Sequence, residues 1–228
     1  MIQLYNVSKV YDSGIPAVSD ISIRIAKGEF VFLVGPSGAG KSTVTRLIFR
    51  EQLPTTGQVF FRGKNVLRFG QRDILQLRRQ IGMVFQDFRL LPRKTVFENV
   101  AFALEVIGRS RREIRERVPV ALAQVGLQGK EEAFPDQLSG GEQQRVGVAR
   151  AIVKKPLVIL ADEPTGNLDP DTSWELMGLF EQINRDGTTV LIATHAWDIV
   201  NRMRKRVIAL ENGRLVRDEE QGSYRHGA

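Results

Sequence analysis

Gly35-Pro36-Ser37-Gly38-Ala39-Gly40-Lys41-Ser42 has the form G-x-x-x-x-G-K-S. An apolar run, Phe30-Val31-Phe32-Leu33-Val34, comes before it, and a helix-compatible run over 42–49 follows. Strand, glycine loop and helix are the setting in which this pattern cradles phosphate. Glycines let the backbone curl so that successive N–H groups converge on one set of oxygens. The helix that follows turns its positive dipole end toward the same anion. Lys41 is placed to reach the β- and γ-phosphates of a nucleotide, and the Ser42 hydroxyl to ligate Mg²⁺. A glycine turn with a chance lysine would match the pattern on the order of once in a hundred chains of this length. The flanking strand and helix make that coincidence rarer.

The bulk properties bound what surrounds this loop. A chain of 228 residues, 42% hydrophobic and 26% charged, fits one large α/β domain with a substantial core. No apolar run approaches the ~20 residues of a membrane span. Met1-Ile2-Gln3-Leu4-Tyr5 has a strand pattern rather than a signal-peptide pattern, so a cytoplasmic protein is expected. There are no cysteines, which excludes disulfides and thiolate metal sites. Two histidines, His195 and His226, are too few for a histidine-rich metal centre. The net charge of +7 suits nucleic acid, an anionic membrane surface or a polyanionic ligand, and does not choose among them.

Outward from the loop, residues 4–7 and the alternating run 18–25 read as strands, with Tyr11 in the polar loop between them. Such an aromatic either stacks on a base or anchors the loop to the domain edge. Residues 58–61 and 81–85 read as further strands, the second ending at Gln86. From about 87 the composition turns to helix formers and arginine. Helices are expected over 96–107 and 110–125, the latter with Ser110 and Glu113 as a capping box. Its arginines, interleaved with Glu113 and Glu116, suit a solvated face more than a nucleic-acid patch. Leu138-Ser139-Gly140-Gly141-Glu142 opens another helix. Its glycines admit a phosphate, or simply give a capped helix a flexible entry. Leu157-Val158-Ile159-Leu160-Ala161 reads as a buried parallel strand ending in Asp162-Glu163. Beside a P-loop that acid pair suits Mg²⁺ binding and water activation, whereas in isolation it would be solvated. A buried strand over 189–193 ends at Thr194-His195. A hairpin turns at Glu211-Asn212-Gly213, and the polar tail from Asp218 is expected to be loose.

Taken together, these motifs resemble those of the ABC-type ATPases, in order and over nearly the whole chain. Gly35 to Ser42 matches Walker A, with Thr43 beside it. Gln86 falls at the Q-loop glutamine, and Ser139, Gly140, Gly141 and Glu142 lie in the signature. Asp162 ends Walker B, Glu163 matches the catalytic glutamate, and Gly166-Asn167-Leu168-Asp169 stands at the D-loop. His195 matches the switch histidine and Tyr11 the adenine-stacking aromatic. Two departures are Ala196, where an acid is common after the histidine, and Asn167, where Ser-Ala-Leu-Asp is the usual D-loop.

The resemblance implies an α/β fold with a P-loop NTPase core on a parallel sheet, an antiparallel β subdomain and an inserted α-helical subdomain. It implies a single domain over 1–228, with the core at 1–86 and 156–228 and the helical subdomain at about 87–155. It further implies catalytic roles for Glu163, His195 and Gln86, Mg²⁺ held by Ser42, Gln86 and Asp162, and ATP sandwiched in a homodimer in which the signature acts in trans. Val84-Phe85-Gln86-Asp87-Phe88-Arg89-Leu90-Leu91-Pro92 narrows the likeness to the branch that serves bacterial cell division. Members of that branch sit on the inner face of the membrane with an FtsX-like integral membrane protein, and no nucleic-acid partner is expected. Lipoprotein- and macrolide-export ATPases carry similar wording and form the alternative. Phe88, Leu90, Leu91 and Pro92 either pin the helical subdomain to the core or form a groove for a short helix of the membrane partner.

Overall fold

The structure is a computed structural model and describes residues 1–12 and 14–224. In chain order its elements are β1 (Ile2–Val10), β2 (Pro16–Ile25), β3 (Phe30–Val34), α1 (Lys41–Ile48), β4 (Thr56–Phe61), β5 (Lys64–Asn65), α2 (Gln71–Gln80), β6 (Ile81–Phe85), α3 (Val96–Glu105), α4 (Arg111–Gln124), α5 (Gly140–Ile152), β7 (Val158–Asp162), α6 (Pro170–Arg185), β8 (Thr189–Thr194), α7 (Trp197–Met203), β9 (Arg206–Glu211) and β10 (Arg214–Glu219). They form two sheets. One is antiparallel, in the order β2-β1-β4-β5; the other runs β10-β9-β3-β8-β7-β6 and is parallel except for its edge strand β10. This is the expected P-loop NTPase architecture, with parallel and antiparallel sheets and helices.

The strands of the parallel sheet read as unbroken apolar runs because both faces are covered. Along β3, Phe30, Phe32 and Val34 pack into one core, whereas Val31 and Leu33 pack into the other. The first core takes the apolar faces of α3, α4, α5 and α6. The second is shared with α1, α2 and the antiparallel sheet. Register then gathers the motifs. Val34 pairs with Thr194, Asp162 with Ala193 and Phe85 with Asp162, so the carboxyl ends of β3, β8, β7 and β6 share one edge. Ligands of open α/β sheets bind at that edge.

One expectation is corrected and one element is new. The tail is not loose from Asp218. β10 runs to Glu219, Asp218 pairs with Arg206 at 2.7 Å, and the Gly222 N–H donates to Lys205 O. Tyr224 is partly buried against the first core. Residues 225–228, with His226, lie outside the described residues. The helix α7 was not foreseen, because seven residues starting just past a buried strand are too few to show a periodicity.

Candidate functional site

The P-loop leaves β3 through Gly35 and enters α1 through Gly40, both left-handed or nearly so (φ 149° and 100°). Neither position admits a side chain. A Cβ on Gly35 would lie 2.2 Å from Leu210 O, and one on Gly40 2.4 Å from Ala17 O. The start of α1 has no side-chain cap and no acid in its first turn. Its leading N–H groups therefore lack the usual side-chain partner and face a cleft of about 890 Å³. The cleft is lined by Gly35, Pro36, Ser37, Gly38, Ala39, Gly40, Lys41, Ser42 and Thr43, and by Gln86, Glu163 and His195. Lys41 is 7% exposed, and its ammonium donates to Gly35 O at 2.8 Å and Pro36 O at 3.2 Å and lies 3.4 Å from Glu163.

Opposite the loop, β7 delivers Asp162 and the turn beyond it delivers Glu163. The Ser42 hydroxyl donates to Asp162 Oδ1 at 2.9 Å. Burial pushes the Asp162 carboxyl up, the Ser42 hydrogen bond pulls it down, and neighbouring Glu163 adds to the rise. Glu163 has a left-handed backbone (φ 48°), which costs on the order of 1–3 kcal/mol for such a residue. Three contacts hold it there. Its N–H donates to Ala193 O at 2.8 Å, and its carboxylate accepts from the His195 N–H at 3.2 Å and lies 2.9 Å from His195 Nδ1.

These residues fit a nucleotide phosphate and its cation. Lys41 is satisfied by main-chain and carboxylate oxygens, the atom type a phosphate offers. Ser42 and Asp162 form a pair of hard oxygen donors, as Mg²⁺ prefers. A cation there would favour the charge on a carboxyl that burial disfavours.

The remaining sequence-stated candidates divide. Gln86 lines the cleft but leans toward the D-loop. Its Nε2 is 3.5 Å from Asn167 Oδ1, and Asn167 Nδ2 donates to Gln86 O at 3.1 Å. The Tyr11 hydroxyl is 3.4 Å from Thr43 Oγ1, with Lys9 over its ring, so the ring sits beside the P-loop helix while Ala17 forms the nearby cleft wall. Ser139, Gly140, Gly141 and Glu142 are not among the described residues lining the cleft. Ser139 caps α5, accepting from the Glu142 N–H, while Glu142 accepts from the Ser139 N–H at 2.9 Å and pairs with Lys130 at 3.3 Å. Gly141 lies against α6, where a Cβ would meet Thr172 at 2.4 Å.

Sequence reasoning missed Trp197 and Tyr224, which also line the cleft. Trp197, 54% exposed and two residues beyond His195, could have been found by that proximity. Nothing in a polar tail marked Tyr224, whose phenol is pushed up first by burial and then by Glu163 and Glu211. Of the apolar residues after Gln86, Leu90 packs on the first core. The backbone of Leu91 is held by buried Asn99, which accepts from the Leu91 N–H at 2.7 Å and donates to Leu91 O at 3.1 Å.

Known proteins share this arrangement. A family model described as ABC transporter matches residues 18–166. A Bacillus subtilis protein named cell division ATP-binding protein FtsE is 57% identical over 224 residues, covering 98% of each chain. The Mycobacterium tuberculosis protein of the same name is 58% identical, again over 98% of both. The one from Escherichia coli K12 is 49% identical over 94% of this chain and 97% of its own. Among solved structures, a dimeric bacterial ABC transporter cassette, MJ0796, aligns with a TM-score of 0.89 at 39% identity, covering 98% of this chain and 100% of that one. A dimeric post-hydrolysis state of the same cassette, bound to ADP and Pi, aligns at 0.88 and 37% with the same coverage.

Proposed function

The chain belongs to the ABC transporter family, and on that premise we propose that it serves bacterial cell division as the ATP-hydrolysing subunit of a complex with an FtsX-like integral membrane protein. It is an ATPase of the ATP-binding-cassette kind. The observation that carries the reading is the convergence of five side chains at one cleft. Lys41 stands 3.4 Å from Glu163, Glu163 2.9 Å from His195, and Ser42 2.9 Å from Asp162.

In this reading the bare N-terminus of α1 and Lys41 take the phosphates, in place of the carbonyls that Lys41 now contacts. Ser42, Asp162 and Gln86 hold Mg²⁺, which when bound neutralises charge on the phosphoryl oxygens. Glu163 orients the attacking water and takes its proton, and His195 holds that carboxylate in place. Gln86 and His195 read the presence of the γ-phosphate, and Tyr11 supports the base. Two copies close head to tail around ATP, with Ser139, Gly140, Gly141 and Glu142 of one facing the P-loop of the other. The capped signature lying away from its own cleft supports that exchange.

Among the described residues no helix is long and apolar enough to cross a membrane. In this reading the membrane partner holds the chain at the membrane's inner face. The partner's short helix docks in a groove of the helical subdomain (about 87–155) at Phe88, Leu90, Leu91 and Pro92. Co-expression with an FtsX-like membrane protein tests this. Wild type should co-purify in detergent, and Leu91→Glu should lose co-purification roughly tenfold or more while melting near wild type. Retained co-purification by a folded Leu91→Glu protein refutes the groove. Failure of wild type to co-purify, with capture by an export permease instead, overturns the cell-division assignment.

A further inference from the structure

The segment after β6 makes an unusual turn. Phe88 and Arg89 are both left-handed (φ 55° and 48°), and the Arg89 N–H closes on Asp87 O at 2.5 Å. That is a three-residue turn about a non-glycine residue of positive φ, the rare and strained form of the γ-turn. Its carbonyls are held from outside. Phe85 O accepts from Gln144 Nε2 at 3.1 Å, and Gln86 O accepts from Asn167 Nδ2 at 3.1 Å. Phe88 O and Arg89 O accept from the two terminal nitrogens of Arg150 at 2.6 and 2.5 Å. Gln144 and Arg150 both belong to α5, the helix that Ser139 caps.

Arg150 has no carboxylate within ion-pair distance among the described residues, and burial is the first cause holding its guanidinium below the usual arginine range. A cation in such a place is accounted for by what its planar fork grips, which is two successive carbonyls. Gln144 is used in the same one-sided way. It is fully buried, donates to Phe85 O and to Pro164 O at 2.7 Å, and leaves its own carbonyl oxygen without a partner. Gly147 faces the turn from the same helix. A Cβ there would make an ordinary contact with Phe88 O at 3.8 Å.

We propose that Arg150 is a positioning residue for ATP hydrolysis: by clasping Phe88 O and Arg89 O it holds the strained turn that aims Gln86 into the cleft. Through it, Gln86 and the signature end move as one body, because a single helix about 15 Å long joins Arg150 to Gly140. This rests on the reading of the chain as an ATPase with Gln86 at the phosphates.

The test compares wild type, Arg150→Lys, and Arg150→Lys combined with Arg89→Gly. Lysine keeps the charge but loses the rigid planar fork that presents one nitrogen to each carbonyl, and glycine takes the left-handed conformation without strain. In nucleotide-free protein, Arg150→Lys should speed hydrogen exchange of the peptide over 85–92 by roughly tenfold or more, leaving the rest of the chain unchanged. With ATP it should lower kcat by about tenfold while KM stays within about twofold, and the added glycine should recover most of kcat. Unchanged exchange over 85–92 overturns the clasp. So does a fall in kcat that glycine does not recover and that tracks a lowered melting temperature, which marks a merely structural arginine. If wild type itself hydrolyses no ATP, the functional reading fails, and the exchange arm still decides the clasp.

Discussion

Two helices of this molecule begin with glycine-rich wording, and their beginnings are electrostatic opposites. α1 starts at left-handed Gly40 with no side-chain cap and no acid in its first turn, and its first residue is a lysine. α5 starts at Ser139 with a complete capping box, its first turn carrying Glu142. α3 and α4 are boxed in the same way, by Thr95 with Glu98 and by Ser110 with Glu113. A helix leaves its first N–H groups without partners inside the helix. Where the chain supplies its own oxygens the end is closed; where it withholds them the end is a receptor for an anion. Glycine content alone does not separate the two cases. The side chains at the cap and three residues beyond it do.

The contrast can be strained at three points, from the largest effect down. Glu163→Gln leaves the open end of α1 intact and removes the carboxylate proposed to handle water. Phosphate release should fall by roughly 10²- to 10⁴-fold while ATP still binds. Size-exclusion chromatography of that variant with ATP and Mg²⁺ should then show a dimer. A strict monomer at saturating ATP would mean that the closed end of α5 is never brought to a partner's nucleotide.

Lys41→Ala acts on the open end itself. Fluorescent ATP-analogue titration should show affinity weaker by roughly 10- to 100-fold, the worth of hydrogen bonds to a charged group. Wild-type affinity would show that the helix terminus suffices without its lysine.

Ser139→Ala opens the closed end and should cost about 1 kcal/mol, a fall in melting temperature of roughly 2–4 °C for a chain of this size. The carboxylate half of the same box should depend on pH. The Ser139 N–H is the first cause holding the Glu142 carboxyl below its ordinary value of 4.5, with Lys130 assisting against burial. Because the folded pKa lies below the unfolded one, the box's contribution is complete above about pH 4.5 and fades as pH falls through the folded value. Alanine at position 139 keeps that N–H, so the carboxylate half of the box is probed by Glu142→Gln, whose melting curve should converge on that of wild type in acid. A gap that stays constant down to pH 3 would show that the carboxylate does not support the cap.

The readable parts of the sequence were those where one local rule acts alone. The P-loop, the acid pair after β7 and the boxes at Ser110 and Ser139 each lie within a few residues, and periodicity placed most strands and helices to within a few positions. What could not be read depends on distant segments meeting. Lys41 was assigned to phosphate, but its present carbonyl and Glu163 partners follow from the loop's curl and from β7 lying near β3. Asn167 was noted only as a departure in wording, and its grip on Gln86 O needs the two loops side by side. Arg150 carries no local signal in the sequence, and its grip on Phe88 O and Arg89 O needs α5 packed beside the segment after β6. Tyr224 was written off with a polar tail that in fact folds back along Lys205 and Asn201 to the cleft wall.

The placement of β3 also bears on how the chain is made. Its hydrogen-bonded neighbours are β8 and β9, so Phe30 waits for Val190 and Val31 for Arg206. At about 5–20 residues per second, the ribosome needs on the order of ten seconds or more after making the apolar run at 30–34 before those partners emerge. The loop proposed to receive phosphate cannot be set until the last fifth of the chain arrives. Until then the nascent protein carries an unpaired, fully apolar strand near its front end, a segment suited to a holding chaperone. A ribosome-stalled fragment ending before β8 should be protease-sensitive at 30–34, and nucleotide should not protect it.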